Sequence, residues 1–235
     1  MKIAFIGFGE AARAFTDSLI AGEARLSGRV ARTEQGLVAD GFTLATPEVE
    51  VTADGRFATG SADFGFDVAL TDLARISEDA SGRLVITGRA QGEAGVLDLT
   101  LDAGVAAGQL AGRSLRDARV GFAGTTAEGR LSGALEGVAF LDGFRVTLDA
   151  GVDNTGERLV LSDIAFTAPG AELRGNLTRL ASGLLDGRLQ LSAPNIETAA
   201  ALALLEATGA VNADIVLAIE DERQNASVNA DVTNL

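Results

Sequence analysis

The residues best placed to do chemistry stand at the start of the chain. Residues 3–6 form a short apolar run, and Gly7-Phe8-Gly9-Glu10-Ala11-Ala12 follows in the pattern G-x-G-x-x-A. Between a strand and a helix, such glycines let the backbone approach a pyrophosphate, which then rests on the helix N-terminus. Gly7, Gly9 and Ala12 are therefore the candidate cofactor-binding positions, and the chemistry they would serve is hydride transfer with a nicotinamide cofactor. Arg32 stands about 20 residues further on, where a ribose or 2′-phosphate contact is expected. The rest of the chain narrows the choice. It has no His and no Cys, which removes the imidazole base, the thiolate nucleophile and the usual zinc ligands. We identify no catalytic residue and no metal-ligand set, and expect no cofactor.

A dinucleotide site needs the elements that hold it. Parallel strands must be joined by crossover helices of a dozen or so residues. Between Gly36 and Pro194 no amphipathic stretch of that length exists. A lone βα turn does not hold a dinucleotide, so residues 1–24 read as a strand–helix cap or a graft, distinct from a β-rich domain over 25–235.

The charge balance is 19 basic against 33 acidic residues, or −14, the wrong sign for a nucleic-acid surface. No run of about 18 apolar residues is present to span a membrane as a helix. Lys2 and the apolar residues after it are interrupted by Glu10 and Arg13, which does not fit a secretory signal.

From about Leu26 the hydrophobic period is two. Phe64, Phe66, Val68 and Leu70 alternate with Asp63 and Asp67; Leu97, Leu99 and Leu101 with Asp98, Thr100 and Asp102; Phe144, Val146 and Leu148 with Arg145, Thr147 and Asp149. Two further rows are Val211, Ala213, Ile215, Leu217, Ile219 and Ala226, Val228, Ala230, Val232. Strict alternation predicts antiparallel sheet with one apolar and one wet face. Turns are expected at Asp54-Gly55, Asp142-Gly143, Asn154-Thr155-Gly156, Pro169-Gly170 and Asp186-Gly187. A helix capped by Asn195 is predicted over about 195–208, ending at Gly209. A loose Leu-x-Gly repeat places Gly28, Gly112, Gly133 and Gly175 where a side chain would not fit. Its recurrence suggests an elongated array with open edges prone to self-association. Acidic pairs such as Asp98/Asp102 and Asp214/Glu220 lack a calcium-loop pattern and read as solvated strand faces. Periodicity alone leaves open whether the apolar rows form a dry core or an exposed lining.

Two resemblances add to these readings. Residues 1–20 are similar to the start of NAD(P)-binding domains of the 6-phosphogluconate and 3-hydroxyisobutyrate dehydrogenase kind, which would imply an oxidoreductase using Gly7, Gly9 and Ala12. Residues 25–235 resemble the AsmA-like superfamily, and within it the TamB family of the translocation and assembly module. The phrases that carry this are "FGFDVALTDLARI", "GRLVITGRAQGEAGVLDLTLDA", "LAGRSLRDARVGFAG", "GAELRGNLTRLASGLLDGRLQLSAPNIETAAALALL" and "ADIVLAIEDERQNASVNADVTNL". This second resemblance implies a long β-sheet curled into a groove (a β-taco) in a periplasmic protein anchored in the inner membrane. It implies a non-catalytic role in phospholipid transport and outer-membrane protein assembly, with acyl chains and a TamA-like outer-membrane barrel as partners. The anchor helix of such proteins has no counterpart here, so the chain is expected to be an internal section. The implied groove lining is Phe64, Phe66, Val68, Leu70, Leu97, Leu99, Leu101, Phe144, Val146, Leu148, Ile215 and Leu217. A structural or adhesive β-array with a filled interior is the alternative.

Overall fold

The computed structural model describes residues 24–34, 36–58, 60–202 and 208–233. The expected cofactor turn with Gly7, Gly9 and Ala12 lies outside them, as does the strand–helix that would contain it.

Fourteen strands follow one another: β1 (Arg25–Thr33), β2 (Gly36–Ala45), β3 (Val49–Ala58), β4 (Ser61–Leu70), β5 (Ala80–Glu93), β6 (Val96–Leu110), β7 (Arg113–Ala127), β8 (Arg130–Leu141), β9 (Phe144–Asn154), β10 (Arg158–Ala168), β11 (Ala171–Leu180), β12 (Leu185–Ala193), β13 (Ala210–Glu220) and β14 (Arg223–Thr233). Among the described residues all are antiparallel, each paired with its neighbours in sequence, and β1 and β14 are the outermost strands of a single sheet that does not close into a barrel. The fold is all-β, an elongated curled array, as the alternation predicts.

Local chemistry explains the hairpins. The residues in Ala94-Gly95, Ala111-Gly112, Glu128-Gly129 and Asp142-Gly143 all have positive φ, the type I′ geometry whose twist matches that of the strands. Asn154-Thr155-Gly156 and Pro169-Gly170 are turns, as expected. Two expected turns are strand interior instead. Asp54-Gly55 lies within β3, with Gly55 paired to Ala39 and Phe64. A β-carbon at Gly55 would lie 2.0 Å from the Asp63 carbonyl oxygen, so this glycine serves close strand approach. The Asp54 carboxylate accepts the Gly41 N–H at 2.8 Å, satisfying a donor at the bulge between Ala39 and Phe42. Asp186-Gly187 lies within β12, where Gly187 pairs with Leu177 and Leu217, and the turn falls at 181–184. Of the Leu-x-Gly repeat, Gly112 is also a correction: it is a turn glycine with open space around it.

In a sequential meander, alternate connections fall at the same end. Both long ones, 71–79 and 194–209, are therefore at one end, here the loop end. The first carries a 3-10 turn at Leu73–Arg75 and the second the helix α1 (Glu197–Leu202). Asn195 caps α1 by accepting the Glu197 N–H at 3.1 Å, as predicted. Residues 203–207 of the expected helix lie outside the described residues.

Arg113, at the start of β7, clasps this end. It donates to Asp142 Oδ2 at 3.0 Å and to the Ala201 carbonyl of α1. In a flat sheet β7 and β12 lie about 24 Å apart. The contact uses both the reach of the helical connection and the curl of the sheet.

The fold has little interior. Accessible surface is 14986 Å², against about 9,900 Å² for a compact monomer of this mass. Half of the described core residues are alanines, and only Val49 among the larger side chains is fully buried. Stability therefore rests on the strand ladders and on contacts between neighbouring strands rather than on a second layer.

Asp72 ties the connection 71–79 to the sheet. Its Oδ1 accepts the Ala74 and Gly82 N–H groups, each at 3.0 Å. Those two bonds, Ala74 first, with Arg75 adding to them, hold its carboxyl below the ordinary carboxylate value. A carboxyl lowered on folding stabilises above its unfolded pKa of about 3.9 and loses that contribution as pH falls through its lower folded value. Protection of the Ala74 and Gly82 amides, taken as exchange relative to the unstructured rate at the same pH, is thus expected to be high at neutral pH and to fall below about pH 3.9. Asp72→Ala should quicken their exchange at neutral pH. Unchanged exchange in the variant would contradict the tie.

Candidate functional site

The site is built by the strand register. Starting at Leu26, successive cross-strand partners are Leu44, Val51, Val68, Ile86, Ala103, Val120, Gly137, Leu148, Phe166, Leu173, Leu191, Ala213 and Ala230. This row crosses all the strands without a polar side chain. A second starts at Val30 and runs through Ala39, Gly55, Phe64, Ala90, Leu99, Gly124, Gly133, Val152, Leu161, Leu177, Gly187 and Leu217 to Ala226. Directly opposed residues point to the same side, so both rows belong to one face. They stand four residues apart on every strand except β2 and β10, where bulges at Gly41 and Asp163 add one. The strip between them is about 13 Å wide and crosses about 60 Å of sheet.

Bulky residues fill the space between the rows. A β-carbon at Gly88 would meet the Phe66 ring at 2.3 Å, and one at Gly133 would meet Phe122 Cζ at 2.8 Å. Both rings therefore lie over glycines of the neighbouring strands. Phe57, Phe64 and Phe66 form a run of contacts, with ring centroids 6.5 and 6.4 Å apart. Burial is graded along this face. Val49 and Leu70 pack at the loop end, and Ala62, Ala90 and Leu97 at the other. In between, Leu101 is 40% exposed, Val120 47% and Phe166 37%, so no second layer covers them.

The opposite face is its chemical inverse. One row runs Ser27, Thr43, Thr52, Asp67, Thr87, Asp102, Gly121, Glu136, Asp149, Ala165, Arg174, Gln190, Asp214, Asn229. Side-chain hydrogen bonds lace it, including Thr87 to Asp67 at 2.8 Å and Gln190 to Asp214 at 3.0 Å. Its ion pairs, such as Arg83–Glu50 at 3.5 Å, are exposed and add little to stability. Two shallow depressions, one around Arg174 and Gln190 and one around Thr52 and Thr87, open on this polar side.

The structure places all twelve residues of the sequence-derived lining on the apolar face. Phe64, Leu99 and Leu217 stand in one long row and Val68 and Leu148 in the other; Phe66, Leu101 and Ile215 lie between the rows. Leu70, Phe144 and Val146 extend toward the loop end, and Leu97 toward the other. Asp98, Asp102, Asp214 and Glu220 are on the exposed polar face. Among the described residues no group of three acidic side chains is placed to hold a metal.

Where a strand carries a bulge, the face escapes simple alternation. On β10 the apolar residues step from Leu161 to Ile164 because Asp163 bulges at φ 50°, and on β7 from Leu115 to Ala118 because Asp117 bulges at φ 47°. An Asp breaking the period by one residue within an otherwise apolar alternation was the available signal.

No protein-family model, curated protein or solved structure matches this chain.

The ring-over-glycine packing has a direct test. Gly88→Ala is expected to destabilise by about 1–3 kcal/mol through overpacking against Phe66. In a Phe66→Leu background the same change should cost less by about 1 kcal/mol, read from a denaturation double-mutant cycle. Additive effects would contradict the contact.

Proposed function

We propose that this chain is a non-catalytic section of a bacterial envelope protein of the AsmA-like kind, with an apolar face that takes phospholipid acyl chains. One observation carries the reading: two apolar rows cross all fourteen strands of a single uncovered layer, with a polar row behind them. Such a strip offers acyl chains a continuous surface while head groups stay in water. Each methylene removed from water contributes about 0.8 kcal/mol, so affinity is spread over many side chains. Transport along the sheet needs that evenness, because a single tight site would stall the ligand. A role in outer-membrane protein assembly, a TamA-like barrel partner and a periplasmic setting rest on the sequence resemblance and belong to the same proposal.

Native mass spectrometry of protein purified without added lipid tests it. Phospholipid adducts are expected, reduced about tenfold (about 1.4 kcal/mol) by Phe66→Asp or Leu99→Asp. Thr87→Asp, on the polar face, should keep them. Circular dichroism melts confirm that the variants fold. Lipid-free protein, or equal adducts in all variants, would favour the structural or adhesive β-array instead.

A further inference from the structure

We propose that Arg179 takes the phosphate of a phospholipid whose acyl chains lie along β10 and β11, pointing toward the loop end. The inference rests on the reading that the apolar face holds acyl chains, and it adds what fixes their direction. Its basis is the sign of the charge on that face. The chain is acidic overall, yet every acidic residue that the strand register places stands on the polar face. The charged side chains that share the apolar rows are all arginines. Arg32 pairs with Leu37, Arg113 with Leu110, and Arg179 with Leu159 and Leu185.

Arg113 is already engaged by Asp142 and the Ala201 carbonyl. Arg179 is exposed and, among the described residues, has no hydrogen bond or ion pair. Glu157, two residues before the cross-strand partner Leu159, does not pair with it. An unpaired guanidinium on a face without strand acids suits an external anion, and its planar fork matches phosphate. A second donor stands in the same row. Asn154 on β9 pairs with Leu159 from the other side. Its Oδ1 accepts the Gly156 N–H at 2.8 Å, which leaves its Nδ2 donor unused among the described residues. Arg179 and Asn154 thus flank Leu159, about 10 Å apart across two strand spacings.

The strands beside Arg179 set the direction. Toward the loop end β11 carries Leu177 and Leu173 on this face, and β10 carries Leu161, Ile164 and Phe166. From Arg179 to Ala171 the strand spans about 27 Å, and one leaflet holds about 15 Å of hydrocarbon. Acyl chains whose phosphate sits at Arg179 therefore fit within the apolar face, passing Phe166, which is 37% exposed. The other way, only Leu180 remains before β11 ends. Because Arg179 is exposed, its hold is modest and screened by salt, so it orients a lipid without trapping it.

The experiment uses the full chain and two lipids with the same chains, dioleoyl phosphatidylglycerol and dioleoylglycerol, which lacks the phosphate. In native mass spectrometry Arg179→Gln should cut phosphatidylglycerol adducts about tenfold and leave dioleoylglycerol adducts unchanged. Arg188→Gln, the same change on the polar face of β12, should alter neither. Circular dichroism checks that the variants fold. Glycerol 3-phosphate, a head without chains, should give no adduct. Direction is read by fluorescence, since the chain has no Trp. Phosphatidylglycerol brominated near its chain ends should quench a Trp placed by Phe166→Trp more than one placed by Leu159→Trp. Equal effects of Arg179→Gln on the two lipids, or stronger quenching at position 159, would overturn the assignment and leave acyl-chain binding in place. A glycerol 3-phosphate adduct as abundant as the lipid's would mark a site for free phosphates and overturn it too. If neither lipid binds, the reading of the face fails and this inference with it.

Discussion

The constraint on which this structure depends is the register of the strand ladder. A protein with two packed layers can correct a local error in pairing by burying the right side chains against the opposite layer. Here the described sheet has no opposite layer, and the hydrogen-bonded ladder alone decides which residues share a face. A slip by one residue would carry a strand's whole apolar set to the other side. The type I′ turns between β5 and β9 fix register tightly, since each leaves two residues to reverse the chain. Where the chain carries an extra residue, a bulge absorbs it: Gly41 in β2, one residue between Val105 and Gly108 in β6, Asp117 in β7 and Asp163 in β10. The rows resume in phase beyond each.

Once the register is kept, the remaining features follow. One face collects Leu, Val, Ile, Phe, Ala and Gly, and the other collects hydroxyls, amides and acids. Glycines beneath Phe66 and Phe122 let the rings lie along the sheet rather than stand clear of it. The Arg113 clasp joins β7, the β8–β9 turn and α1 at the loop end. The net charge of −14 sets copies of this surface to repel one another. A surface of this kind suits ligands held by many weak apolar contacts better than ligands held by one polar anchor.

Much of this was legible in the residues. Strands β4, β6, β9, β13 and β14 show open alternation, and their inward residues were identified from period two alone. Asn195 announced the helix cap. Other signals misled. Asp-Gly is a strong turn signal, yet Asp54 serves the bulge at Gly41 and Gly55 permits close strand approach, a role visible only once β2 and β4 flank it. Asp186-Gly187 failed in the same way. The hairpins at Ala94-Gly95, Ala111-Gly112 and Glu128-Gly129 were missed because their first residues are not the usual Asn or Asp. The continuity of the rows across all fourteen strands was beyond reach, because it depends on pairings between strands and not on any one of them.

The claim that the apolar face lies open is tested most directly by site-directed spin labelling along β6. Single cysteines at positions 98 to 103 would carry the label, and collision rates with oxygen and with a polar nickel complex would be compared. The account predicts that in lipid-free protein both quenchers reach labels at Leu99, Leu101 and Ala103 as well as those at Asp98, Thr100 and Asp102, and that added phospholipid gives a period of two, in which labels at the first three positions keep oxygen collisions and lose those with the nickel complex. Labels on the apolar side that neither quencher reaches would reveal a covered, dry core and contradict it.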